Sequence, residues 1–251
     1  ALQQAGMITA AVWTDFNNDQ TPDLIVAGEW MPVRFFANRS GKLEEVTDQT
    51  GLTGIKGMWR SLVAADIDKD GDMDIVAGNF GLNCTYRSSP THPMKLFAKD
   101  IDNNGSIDPV LFYHIKTERG DRKLYPAIGK DMLTSQVPGL KKKFVHHREF
   151  VAMGAPDIFA DNNNLLELTC EETASCLFEN KGNGQFTKHL LPAEAQFAPV
   201  NALLCDDLDN DGHLDLLLAG NEYQLEVMTG RQDALYGLFL KGDGRNGFTP
   251  V

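Results

Sequence analysis

The sequence has little positive charge to set against its negative charge: 23 Lys and Arg face 35 Asp and Glu, for a formal charge of -12. A nucleic-acid or anionic-membrane partner requires a basic face that displaces counterions, so neither is expected. No apolar run exceeds seven residues, far short of a helical bilayer span, so membrane insertion is not expected either. Four cysteines are too few for a disulfide scaffold. Cys170 and Cys176 lie close enough in sequence to pair, whereas Cys84 and Cys205 are expected as small buried apolar groups. The six histidines fall into no zinc-binding spacing, and G-x-S-x-G, H-E-x-x-H, Walker and dinucleotide motifs are all lacking. No segment has the charged start, apolar middle and small-residue end of a secretion signal. A first residue of Ala1 instead of Met reads as a mature or excised piece of something longer. At 251 residues the chain has room for one large all-β domain or two smaller ones.

What the sequence does have is acid in clusters. Four stretches are related: "DFNNDQTPDLIVAGEW" from Asp15, "DIDKDGDMDIVAGNF" from Asp66, "DIDNNGSIDPVLFYH" from Asp100 and "DLDNDGHLDLLLAGNE" from Asp207. Each fits D-x-[DN]-x-[DN]-x-x-x-D, and three carry Gly at the sixth position (Gly71, Gly105, Gly212), where a tight loop requires a positive φ. Carboxylates this close repel one another appreciably, and a bound cation offsets the repulsion. In a curling loop the side chains at positions one, three and five converge, the seventh residue offers its carbonyl, and the ninth closes the shell. Hard oxygen donors in that number suit Ca²⁺, with Mg²⁺ ranked second because it demands a stricter octahedron. An EF-hand loop begins in the same way but needs a Glu at position twelve and flanking helices. Position twelve here is Val26, Ala77, Leu111 or Leu218, each inside a run of strand length. The acidic loops therefore join strands, and neither the EF-hand nor dockerin reading holds.

A second repeated element is strand, Gly/Asn turn, strand: "RFFANRSGKLEEV" (34–46), "CLFENKGNGQFTKHL" (176–190) and "GLFLKGDGRNGFTPV" (237–251). One acidic-loop hairpin and one Gly-turn hairpin make four antiparallel strands in about fifty residues, the size of a propeller blade. The expected fold is all-β, a propeller or propeller arc of about four blades. Because "MKLFAKD" resembles "RFFAN", the Asp100 loop is expected at the turn of blade two's second hairpin. In the long interval that follows, Leu133, Val137, Leu140, Phe144 and Val145 recur at helical spacing despite Pro138. A helical insertion at about 128–160, emerging from blade three, is expected there. Its "KKKFVHHR" is the one basic cluster, read as a solvated helix face.

These loops, running into "DLIVAG", "DIVAGN" and "DLLLAGN", resemble the FG-GAP/VCBS repeats of integrin α-type β-propellers. The stretches "GNFGLN", "AKDIDNNGSIDP" and "GRQDALYGLFLKGDG" are similar to bacterial VCBS-repeat proteins associated with ASPIC/UnbV domains, relatives of cartilage acidic protein. The resemblance implies Ca²⁺ held within the blades, export to the cell surface or beyond, and binding more often than catalysis. Carried over, the ligands are Asp66, Asp68, Asp70 and Asp74 with the carbonyl of Asp72, and Asp207, Asp209, Asp211 and Asp215 with that of His213. The third loop offers Asp100, Asp102, Asn104 and Asp108 with the carbonyl of Ser106. The first offers Asp15, Asn17, Asp19 and Asp23 with the carbonyl of Thr21, and departs from the pattern at Gln20 and Pro22. Four divalent ions carry +8, which takes the formal -12 to -4, so much of the acidity reads as ion-binding capacity.

The expected function is a non-enzymatic, calcium-binding module for adhesion or ligand binding, with a protein or glycan at the cell surface as partner. An integrin-like propeller closes with seven blades, so the remaining blades of a longer chain count among the expected partners. The alternative is a polysaccharide lyase or hydrolase using His114, Tyr113 or Arg148. Trp30 and Trp59 are read as filling wedges between blades, with sugar stacking as the other reading. Tyr86, Arg87, Tyr223 and Arg231 are candidate contacts on the long loops.

Overall fold

The computed structural model describes residues 2–118, 120–159, 163–225 and 230–251. The chain packs as two compact units, Ala1–Thr85 with Glu172–Val251, and Tyr86–Glu171. Secondary structure is mostly β, in four antiparallel sheets of four to five strands, as expected for propeller-like blades.

In chain order, β1 (Met7–Thr14), β2 (Asp23–Met31), β3 (Arg34–Arg39) and β4 (Lys42–Glu45) form a meander, blade I, to which β5 (Gly57–Met58) adds by pairing with β2. Strands β6 (Ser61–Ala65) and β7 (Asp74–Gly78) are the first half of blade II. The second unit follows, with β8 (Met94–Lys99), β9 (Asp108–Lys116), β10 (Arg122–Pro126), α1 (Lys130–Gln136), α2 (His147–Ala152), α3 (Ala155–Ile158) and β11 (Leu166–Cys170). Then β12 (Cys176–Asn180) and β13 (Phe186–Leu190) complete blade II, in the order β6-β7-β12-β13. Blade III is β14 (Ala202–Asp206), β15 (Asp215–Ala219), β16 (Leu238–Gly242) and β17 (Phe248–Pro250).

In the first unit the blades stack face on face, with β1 beside β6 and β6 beside β14. Side chains alternate along each strand, so β7 reads as a continuous aliphatic run because both of its faces meet a neighbouring blade. Along β7, Ile75 and Ala77 join the core shared with blade I, while Val76 joins the core shared with blade III. Trp59 is fully buried in the wedge between blades I and II, its ring 5.6 Å from that of Phe178 and edge-on. Trp30 is half-buried and has a left-handed backbone, φ 61°.

Two expectations are corrected by the pairing. The hairpin of blade II is 176–190, not the segment around Asp100, because β7 pairs with β12 across the whole of the second unit. The Asp100 loop instead joins β8 and β9, the central strands of a separate sheet ordered β10-β9-β8-β11. That is a Greek-key order, with the fourth strand returning beside the first. The helices lie in the connection from β10 to β11, so they belong to this sheet and not to blade III. Leu133, Val137, Leu140 and Phe144 pack with Phe97 and Phe112, as their spacing predicts, but Val145 is exposed. Residue 160, at the end of the expected insertion, and residues 226–229, within one of the long loops, lie outside the described residues. Cys176 is a free buried thiol whose Sγ donates to the Ala174 carbonyl, so it forms no bridge with Cys170. Cys84 and Cys205 are half-buried instead of fully enclosed.

Because Trp59 fills the wedge between two blades, its truncation leaves a void that neither sheet can close. Trp59→Ala is expected to cost about 3–5 kcal/mol, measured by denaturant unfolding.

Candidate functional site

All four acidic loops adopt one conformation, built from their own side chains. The first aspartate accepts from the backbone N–H of the sixth residue: Gln20 to Asp15 (2.7 Å), Gly71 to Asp66 (3.2 Å), Gly105 to Asp100 (2.8 Å) and Gly212 to Asp207 (2.9 Å). The fifth side chain accepts from the seventh N–H: Thr21 to Asp19 (3.0 Å), Asp72 to Asp70 (2.9 Å), Ser106 to Asn104 (2.8 Å) and His213 to Asp211 (2.8 Å). The sixth residue has positive φ in every loop: Gly71 at 94°, Gly105 and Gly212 at 88°, and Gln20 at 66° without glycine's freedom. The fourth residue is left-handed as well (Asn18, Lys69, Asn103, Asn210). Three of these four are Asn, a residue that tolerates this region, and that was the unread signal.

The ninth aspartate has a structural task besides the one its spacing suggests. Asp23, Asp74, Asp108 and Asp215 are buried. In blade II, Asp74 accepts from Ile67 N–H at the loop's second residue (3.2 Å) and from Asn180 N–H at the end of the third strand (2.8 Å). In blade III, Asp215 accepts from Leu208 (3.1 Å) and Gly242 (2.9 Å), and in blade I Asp23 accepts from Asn38 (2.7 Å). The second unit follows suit with Ile101 (3.1 Å), but the other oxygen meets Gln136 Nε2 of α1 (3.3 Å) where the blades have a strand. Each such carboxylate therefore ties a loop to the next structural layer.

Asn38 and Asn180, the last residues of "RFFAN" and "CLFEN", complete the tie. The Asn180 amide donates to the carbonyls of Phe16 in loop I (2.9 Å) and Met73 in loop II (3.2 Å). That of Asn38 donates to Pro22 (3.0 Å). The repeated terminal Asn was the available signal.

In three of the loops carboxylates also face one another. One oxygen from each of Asp66, Asp68 and Asp70, of Asp100, Asp102 and Asp108, and of Asp207, Asp209 and Asp215 lies within 4.8 Å of its partners in the group. The blade I loop, with Asn17 at position three, forms no such group. Asp66 Oδ1 is a buried oxygen without a hydrogen-bond partner, whereas the Asp23 carboxylate is also served by the Phe16 N–H. Unpaired buried acceptors are costly, and a cation is the kind of group that satisfies them, so the donor set fits a hard divalent ion. In blade III the Lys241 ammonium already bridges Asp209 and Asp211, 2.8 Å from the latter. Its hydrogen bonds to those carboxylates raise the pKa of Lys241, and its hydrogen bond holds the Asp211 carboxyl below the usual range.

Burial pushes the Asp74 carboxyl up to about 7, and raises Asp23 and Asp68 as well, with Asp70 adding to the effect at Asp68. The three loops of the first unit are also joined laterally. The Asn18 amide donates to Asp72, Lys69 to the Gly212 carbonyl, and Asn246 to Asp68 Oδ2 (2.8 Å).

The residues considered for catalysis are engaged elsewhere. His114 Nδ1 donates to the Pro93 carbonyl (3.2 Å) and its ring stacks edge-on against His92, while Tyr113 stacks against Tyr86. Arg148 is exposed on α2. Tyr223 and Arg231 are exposed on their loop, Arg87 is exposed and Tyr86 half-buried.

Two expectations follow for protein stripped of divalent ions. Asp215→Asn removes an acceptor from two buried backbone donors and should cost about 1–3 kcal/mol, whereas Asp102→Asn at an exposed position should change stability little. The second concerns pH. A proton binds folded Asp74 below about 7 but an unfolded aspartate only below about 4. Its contribution to stability is thus full below about pH 4 and lost as pH rises through about 7. Chelator-treated protein should melt higher at pH 5.5 than at pH 8, with a smaller difference in Asp74→Asn.

Against known proteins, the family described as "FG-GAP-like repeat" matches residues 15–77. That segment runs from the acidic loop of blade I through the acidic loop of blade II and most of β7. No curated protein matches the chain. Residues 15–77 are thus similar to an FG-GAP-like repeat, and the matched span begins at a first-position aspartate.

Proposed function

We propose that this chain is a calcium-stabilised, non-enzymatic binding module that works at the cell surface or outside the cell. The observation that carries the reading is the convergence of carboxylates in three loops of one conformation, together with the buried, partnerless Oδ1 of Asp66. Asp66, Asp68 and Asp70 hold one ion, Asp100, Asp102 and Asp108 a second, and Asp207, Asp209 and Asp215 a third. The loop at Asp15, Asn17, Asp19 and Asp23 is the fourth and weakest candidate. Asn104 and Asp211 and the carbonyls of Thr21, Asp72, Ser106 and His213 complete the donor sets. The ion neutralises mutually repelling carboxylates and fixes the turn between a blade's first two strands. Open loops of this kind suit the millimolar calcium found outside cells.

With the acids assigned to ions, no second set of paired carboxylates is required for chemistry, and recognition falls to the long loops between blades. A glycan or protein ligand there meets Tyr86 and Arg87, or Tyr223 and Arg231, as separate surfaces.

Chelation should lower the melting temperature by many degrees, with recovery on adding calcium. Asp68→Ala should remove about a third of that calcium-dependent shift if three loops bind. A melting curve unchanged by chelator defeats the metal assignment. Retention on a glycan or protein array without product formation supports binding, while turnover of any polysaccharide on a panel supports an enzyme instead.

A further inference from the structure

The three blades are equivalent position by position, and the equivalence exposes one unfilled face. In blade I, Val12, Ile25 and Phe35 are neighbours across β1, β2 and β3. Their row packs against blade II, with Ile25 and Phe35 fully buried. In blade II the same three positions are Val63, Val76 and Leu177, and that row packs against blade III, Val76 being 1% exposed. In blade III they are Leu204, Leu217 and Phe239. This row belongs to neither core cluster, and Leu204 and Leu217 are 47% and 42% exposed.

The surface that meets such a row is constant too. Against blade I it is Ala64, Ile75 and Phe178 of blade II, and against blade II it is Cys205, Leu216 and Leu240 of blade III. In both, an aliphatic residue directly after the ninth aspartate supplies the centre. The opposite face of blade I differs. There Phe36 is fully buried, the Arg34 guanidinium lies over its ring and pairs with Glu45, and Leu24 is also buried, although Trp13 is exposed. Among the described residues, blade III has no such charged cover over Leu204 and Leu217.

We propose that the outer face of blade III is a docking face for one further four-stranded antiparallel blade, with an aliphatic residue directly after its own ninth-position aspartate. Leu204, Leu217 and Phe239 receive it as the corresponding rows of blades I and II receive their neighbours. Burying two leucines and a phenylalanine that now face water is the driving force.

The test has two arms. In the present chain, Leu217→Glu should leave the melting temperature within about 2 °C of the parent, whereas Val76→Glu at the equivalent filled position should unfold it. Unfolding by Leu217→Glu overturns the proposal, because the face is then already packed. A dimer that Leu217→Glu dissolves also overturns it, in favour of a second copy as occupant. In the second arm the chain is lengthened by another copy of residues 201–251, whose Leu216 and Leu240 equivalents supply the receiving surface. The added segment should resist trypsin, and lose that resistance when Leu217→Glu is made in the original blade III. Digestion with either residue at 217, or resistance with either, overturns the proposal.

Discussion

The structure depends on how like charges are held together at the turns of a sheet. Each acidic loop solves this by dividing its aspartates. The ninth is withdrawn into the interior, where backbone donors from the loop and the third strand surround it in blades II and III. The others stay at the turn, their oxygens converging, in two loops together with an oxygen of the ninth. The buried carboxylate makes hairpin and sheet one object, because it cannot keep its donors if the third strand slides. That keeps the converging oxygens close together, and it is their mutual repulsion that the proposed divalent ion offsets.

Charge is divided between the units in the same spirit. Residues 86–171 hold twelve Lys and Arg against eleven Asp and Glu, while the remainder holds eleven against twenty-four. The acidity of the chain is therefore a property of the three blades, and much of it stands in their loops. Lys241 shows what the loops attract: a cation from the neighbouring strand bridges Asp209 and Asp211. The basic run at Lys141–Arg148 lies exposed in the middle of the helical connection, between α1 and α2 and entering α2, with Phe144 alone turned into the core.

Much of this was legible because it is local. The nine-residue spacing, the glycine at position six and the alternation of strand and turn are short-range signals, and the loops and hairpins stand where those signals put them. What was not legible is non-local. Nothing in "DIVAG" says that its partner is "CLFEN" a hundred residues later and not "MKLFAKD", since both are apolar strands of the same length. The partners of Asp74 and Asp215 were hidden for the same reason: the spacing marks position nine as a ligand, and only the third strand shows the backbone donors that this carboxylate also holds. Val145 fits a helical pattern, but the 3-10 turn that begins at Pro138 ends at Lys142, so Val145 lies outside any helix and faces water. The left-handed fourth residue was readable from three asparagines and was masked by Lys69.

The most direct test of the central claim is to locate the ions. Crystals grown in calcium, with anomalous scattering measured at long wavelength, should show peaks about 2.3–2.6 Å from oxygens of Asp66, Asp68 and Asp70, and of Asp207 and Asp209, with Lys241 displaced. Maps without peaks in any acidic loop, and the Lys241 ammonium still bridging Asp209 and Asp211 at saturating calcium, would contradict it.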